Sequence, residues 1–183
     1  MAVYEHIEHG FEPVFDEGCR VLVLGSLPSV LSRAHAFYYG NPKNRFWRMV
    51  AAVTGEPVPP NEGDALADRA PATLAQSIEA KRALLLRHGI ALWDTIQSCD
   101  IQGSSDASIR NVVPTDLARV ISRTPIEAVL CNGGTAGRLY RRYQRAAVGI
   151  DAVVLPSTSP ANASWSLGRL VGRWGEVLGP LTR

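Results

Sequence analysis

Cysteine is scarce: Cys19, Cys99 and Cys131 are the only three in 183 residues, and they are widely spaced. No Cys-x-x-Cys pair exists, so a cysteine-rich zinc site and a four-cysteine iron–sulfur cluster both lack ligands. Buried free thiols in a reducing cytosol are the expectation, with no metal and no cofactor. Long apolar runs are missing too. Nothing approaches the ~18 residues of a membrane span, and the opening MAVYEHIEHGFEP has neither the cationic nor the apolar region of a signal peptide. These absences predict a cytoplasmic protein with no membrane partner. A formal net charge of only +2 supplies no global field for a polyanion, so any such attraction must be local. Two signature loops are absent: no P-loop occurs, and no G-x-G-x-x-G follows a strand. A G-x-S-x-G elbow is missing as well, since Gly25-Ser26-Leu27-Pro28-Ser29 does not fit it and the four histidines offer no persuasive partner.

What is present is ordinary in bulk. A hydrophobic fraction of 46% and a charged fraction of 20% suit one globular domain spanning 1–183, expected to be a monomer. Four short apolar runs read as buried strands: 21–24, 90–94, 126–131 and 152–155. Helical periodicity fills the spaces between them. One helix runs over 44–53 with Phe46, Trp47, Val50 and Val53 on one face, and a second is capped by Thr73 and reaches His88. Others are expected over 115–123, from a Thr135 cap to Ala147, and from Ser164 to Leu178. Residues 1–20 read as an extended lead-in, 55–72 as a proline-rich surface connection, and 96–111 as a long polar loop.

Strand then helix, four times over, with no alternation in the strands, predicts an α/β fold. It is a three-layer α/β/α sandwich with a central four-stranded parallel sheet. Ligands in such sheets gather at the carboxyl ends of the strands. Every one of the four strands ends in a polar or glycine-rich loop: GSLPS, WDTIQS, CNGG and PSTSPAN. The stretch Tyr38-Tyr39-Gly40-Asn41-Pro42-Lys43-Asn44 adds flat rings, amides and a cation beside the first of them. One composite site at that edge is the expectation. Ser157, Thr158 and Ser159, between Pro156 and Pro160, make a donor-rich corner suited to phosphate oxygens. Asn132-Gly133-Gly134 reads as a tight turn with a helix cap, or alternatively as a phosphate contact through free N–H groups. Asp94 and Asp106 are possible polar partners, with a structural role as plausible. Trp165 and Leu167, just past the donor-rich corner, read first as core residues; alternatively Leu167 is placed to wedge a duplex, since a vacated base stack needs an apolar filler.

Taken together, GSLPS, YYGNPKNRFW, LWDTIQSCDIQGSSDASI, NGGTA and LPSTSPANASWS resemble the uracil-DNA glycosylase superfamily from Cys19 to Trp174. The closest branch is that of the hypoxanthine-DNA (deoxyinosine) glycosylases. The resemblance implies an enzyme whose partner is DNA containing a deaminated base. It flips that base, hydrolyses its N-glycosidic bond and leaves an abasic site. The catalytic Asn of that branch corresponds to Asn44, with Asn41 the competing amide. The mismatch-specific branch uses an Asn in its first loop, where this chain has Leu27. Gly25, Ser26, Leu27, Tyr39 and Phe46 are the expected base-binding set, with Tyr39 the stacking ring. Ser29, Ser157, Thr158, Ser159, Asn162 and Leu167 are the expected DNA contacts. Activity on deoxyuridine, or binding without turnover, are the alternative readings.

Overall fold

The lead-in carries a strand of its own, β1 (Glu5–Glu8), and its partners come from the stretch expected to be a loop. The computed structural model describes residues 3–66 and 70–182. Positions 67–69 of the proline-rich connection therefore lie outside the described residues. After β1 comes β2 (Val21–Gly25), buried at every position. Two short helical pieces follow, α1 (Val30–His35) and α2 (Phe46–Thr54). Helix α2 stops at Gly55, whose φ of 71° suits the left-handed turn of its backbone. Helix α3 (Leu74–Arg87) starts with a reciprocal capping box between Thr73 and Gln76, then β3 (Ile90–Asp94) returns through the core.

The 96–111 expectation is corrected here. Ile96–Ile101 forms β4 and Arg110–Pro114 forms β5, paired antiparallel. With β1 they make a second sheet of order β1-β4-β5. Its burial is one-sided but broken by a register shift: Ile96, Cys99 and Ile101 pack with Ile7, while Gln97 faces solvent. A one-sided sheet tolerates many polar residues, which is why the segment reads as a loop by composition.

The chain then continues through α4 (Ala118–Ile121), β6 (Ala128–Asn132), α5 (Gly134–Tyr143), α6 (Arg145–Val148), β7 (Ala152–Leu155) and α7 (Leu167–Leu178). The helix expected to run on to Ala147 breaks at Gln144, whose φ is −126°. Its buried amide turns inward and donates to the carbonyls of Thr95 and Thr115, locking the corner where β3 passes into the second sheet. Strands β3-β2-β6-β7 form the parallel sheet, in register from Val21 opposite Ile90 and Ala128. Helices α2 and α7 pack on each other, α5 lies on β6 and β7, and α3 on β3. The three-layer α/β/α expectation therefore holds, with the antiparallel sheet added beside it. Leu22, Leu24, Leu92, Trp93, Phe46, Met49, Tyr140 and Trp174 centre the core. No described helix is long and apolar enough to cross a membrane.

Candidate active site

A cavity of about 400 Å³ opens at the carboxyl edge of the parallel sheet, within the ~300–1,000 Å³ usual for a small-molecule site. It is bordered by the loops that follow β2, β6 and β7, by Asp94 at the end of β3, by Ile101, Gly103, Ser104 and Asp106 at and after the end of β4, and by the Tyr38–Asn44 stretch. Gly25, Ser26, Leu27, Ser29, Tyr39, Asn41, Asn44, Ser157, Thr158 and Ser159 all line it. Phe46, Asn162 and Leu167 do not.

One wall is a chain of committed hydrogen bonds. The Asn132 amide at the end of β6 donates from Nδ2 to Tyr39 Oη and to Thr158 Oγ1, each at 2.9 Å, and accepts from Thr158 N at 3.0 Å. Thr158 Oγ1 in turn donates to Asn44 Oδ1 at 2.9 Å. Asn44 Oδ1 also accepts from Phe46 N at 3.0 Å. A backbone N–H can only donate, so this bond fixes which end of the amide is oxygen. Asn44 Nδ2 is thereby left as a donor with no partner among the described residues. Asn41, the competing amide, spends its Oδ1 on Lys43 N in a local turn, and its carbonyl accepts from Asn44 N.

Arg45 anchors this wall from behind. Its guanidinium donates to the carbonyls of Thr158, Ser159, Asn162 and Trp165, and its backbone N–H also reaches Thr158 O. Among the described residues it has no carboxylate partner. The fork therefore serves the loop after β7, tying it to the residue next to Asn44.

Tyr39 has a φ of 50°, unusual for a bulky residue, and its ring stacks on Phe46 with centroids 4.1 Å apart and planes 24° apart. Phe46 is fully buried, so the expected substrate contact is replaced by a supporting role beneath Tyr39. Burial first, and the Asp94 carboxylate second, hold the Tyr39 phenol far above its ordinary value, so the hydroxyl keeps its proton. Asp94 itself lines the cavity from the end of β3, although it is almost fully buried. Its Oδ2 meets His9 Nε2 at 2.8 Å, and His9 Nδ1 reaches Phe11 O at 2.9 Å. With a carbonyl on one ring nitrogen, Nδ1 carries hydrogen, and one proton then lies between Nε2 and the carboxylate. That leaves Asp94 Oδ1 as a cavity-facing acceptor. A Cβ on Gly25 would come within 2.2 Å of it and 3.2 Å of Tyr39 Oη, so only glycine fits where these groups meet.

Other expected residues take structural parts. Thr158 borders the cavity, but its hydroxyl is buried and spent on Asn132 and Asn44, which removes it as a phosphate ligand. Asn162 stitches its own loop, donating to Ser157 O at 3.0 Å. Leu167, at the start of α7, packs against the core. Ser157 Oγ and Ser159 Oγ each accept a backbone N–H, from Ser159 and Ala161, which leaves both O–H groups to donate. Ser29 caps α1 through Ser32 N. Thr135 lies within α5 while Gly133, φ 98°, takes the cap position without a side-chain bond. Sequence reasoning missed His9, which lies in no motif, and the bonding roles of Arg45 and Asn132, which lie inside YYGNPKNRFW and NGGTA. The described residues contain no cluster of metal-ligating side chains, and all three cysteines are buried and outside any disulfide, with burial pushing the Cys131 thiol up to about 12.

A parallel sheet with an amide, a ring and a donor-rich loop around one cavity describes a base-excising class of protein, and sequence comparison agrees. The profile of the uracil DNA glycosylase superfamily matches residues 12–174, and the chain belongs to that superfamily. Two relatives carry a narrower name. Hypoxanthine DNA glycosylase of Methanosarcina acetivorans is 34% identical over 164 residues, covering 89% of this chain and 93% of its own. The Hypoxanthine DNA glycosylase of Methanosarcina barkeri is 32% identical over 173 residues, covering 93% and 97%. The solution NMR structure of a candidate uracil DNA glycosylase from M. acetivorans superposes with a TM-score of 0.72 at 34% identity, covering 94% of this chain and 96% of that one.

Proposed function

We propose that this protein is a DNA glycosylase that flips a deaminated base, hypoxanthine first, into the cavity and hydrolyses its bond to deoxyribose, leaving an abasic site. The observation that carries the reading is the Asn44 amide, pinned through Oδ1 by Phe46 N and Thr158 Oγ1 with Nδ2 free. In glycosidic cleavage the C1′–N9 bond breaks with its electron pair on the purine, while water adds to C1′ and releases its proton. Charge grows on the departing base, and a fixed N–H donor at that place costs no reorganisation when the bond breaks. Asn44 is that donor, and Tyr39, backed by Phe46, is the floor on which the base stacks.

Asp94 Oδ1 suits the edge that deamination alters. Adenine and cytosine present a ring-nitrogen lone pair beside the amino group, whereas hypoxanthine and uracil present an N–H there. A fixed acceptor favours the N–H, because the undamaged base would leave it unpaired. This same feature supports deoxyuridine as the second substrate. The hydroxyls of Ser157 and Ser159 serve phosphates at the mouth. The reading includes one domain acting as a monomer in the cytoplasm.

The test is an oligonucleotide-nicking assay with alkali after incubation, on deoxyinosine and deoxyuridine substrates. Cleavage at deoxyinosine that drops by ~10²–10³ in Asn44→Ala is expected. Cleavage only at deoxyuridine moves the assignment to uracil, and binding without cleavage removes the enzymatic reading.

A further inference from the structure

His9 lies outside every motif that carried the family resemblance, yet the fold delivers it to Asp94, a cavity residue. Strand β1 pairs antiparallel with β4, Ile7 opposite Cys99, and the His9 N–H extends that pairing by donating to Gln97 O at 2.8 Å. Because β4 follows directly on β3, this ladder brings His9 alongside a residue 85 positions on in the chain. The imidazole is 1% exposed, with the Phe11 ring centroid at 4.3 Å and that of Tyr38 at 5.8 Å. Burying a polar ring is costly unless each nitrogen is bonded, and both are: Nδ1 to Phe11 O at 2.9 Å, Nε2 to Asp94 Oδ2 at 2.8 Å. An apolar side chain would fill this place at lower cost, so the nitrogens point to a use.

The use lies in where one proton sits. Phe11 O can only accept, so Nδ1 carries a hydrogen and a single proton lies between Nε2 and Oδ2. Whether that proton rides on nitrogen or on oxygen, it stays on the His9 side of the carboxyl. Oδ1 then carries none and remains an acceptor toward the cavity. Thr115 Oγ1 meanwhile donates to Asp94 O at 2.6 Å and fixes the backbone at the end of β3. Without a partner at Oδ2, the proton settles on either oxygen, and an O–H at Oδ1 presents a donor in place of the acceptor. The polarity that a base meets at this point is therefore decided by a side chain that never touches it.

We propose that His9 is a positioning residue that sets base selectivity: it keeps Asp94 Oδ1 an acceptor, and so favours a base with N–H at the ring nitrogen next to the carbonyl. This rests on the glycosylase reading above and deepens it. Two oligonucleotides test it, one carrying deoxyinosine and one carrying the deoxyriboside of unsubstituted purine, whose N1 is a bare lone pair. The ratio of their single-turnover cleavage rates is followed across variants, so the different intrinsic lability of the two bases drops out. His9→Gln puts its amide nitrogen where Nε2 stood, and keeps the wild-type ratio within about twofold. His9→Asn is equally polar but shorter; it reaches toward Phe11 O and not Asp94, and the ratio falls roughly tenfold, as for one lost discriminating hydrogen bond. Both variants exchange the ring for an amide, so a purely structural role would shift their melting temperatures and leave the two ratios alike. Equal ratios in wild type and His9→Asn overturn the proposal, as does a ratio that falls as far in His9→Gln as in His9→Asn. Wild-type protein inert at deoxyinosine overturns the glycosylase reading together with the role of His9. Wild-type selectivity that His9→Asn leaves intact overturns the role of His9 alone.

Discussion

The two lips of the cavity are built on opposite plans. On the β6–β7 side the polar groups behind the rim are committed: Asn132 to Tyr39 and Thr158, Thr158 to Asn44, and Arg45 to four carbonyls, while the Ser157 and Ser159 hydroxyls at the rim can still donate. On the β2 side, the α1 tip exposes apolar surface, and Asp94 Oδ1 faces the cavity without a protein donor among the described residues. Committed bonds hold a single donor, Asn44 Nδ2, in a fixed place, which is what stabilising a developing charge requires. Uncommitted groups are what a ligand meets first. The difference separates a wall that positions from a lip that receives.

The largest expected effect comes from reversing the amide that these bonds hold. Asn44→Asp keeps the shape and exchanges donor for acceptor, so single-turnover cleavage at deoxyinosine falls by ~10²–10³, as for Asn44→Ala. A carboxylate that retained activity would mean the amide oxygen, and not Nδ2, does the chemistry. Next is Arg45→Met, which leaves four carbonyls without their cation. About 2–3 kcal/mol of stability is lost in a denaturant titration, and cleavage slows more than DNA binding weakens. Arg45→Lys recovers little, because a point ammonium cannot replace the fork. Thr158→Val removes the bridging hydroxyl and slows cleavage about tenfold, the worth of roughly one lost hydrogen bond.

The smallest effect lies far from either lip, in the second sheet. The Asn111 amide first and His6 second lower the Asp100 carboxyl below its ordinary value. A carboxylate depressed in the folded state stabilises above its unfolded pKa, and that contribution disappears as pH falls through the folded value. Asp100→Asn should therefore melt slightly below wild type at neutral pH and converge with it in acid. A gap that widens on acidification would reverse the sign.

Much of this architecture was legible in the residues. Continuous β-branched runs with polar loops at their carboxyl ends gave the parallel sheet and the side on which the cavity opens. The second sheet was obscured because a register shift interrupts its alternation and many of its residues are polar, as at Gln97 and Asp100. Asn44 was legible through its motif, whereas the direction of its amide was not. That direction is fixed by Phe46 N in the folded turn and reinforced by a hydroxyl 114 positions away in the chain. His9 was hidden for the same reason, since its partner lies 85 positions on. Phe46 and Leu167 were both apolar residues beside functional motifs, and packing turned each inward.

The central claim is that Thr158 acts on catalysis through Asn44, and a double-mutant cycle tests it most directly. Single-turnover rates at deoxyinosine would be measured for wild type, Thr158→Val, Asn44→Ala and the double variant. The account predicts that Thr158→Val costs nothing further once Asn44 is alanine. Losses that simply multiply would contradict it, because the hydroxyl would then be acting by some route that bypasses the amide.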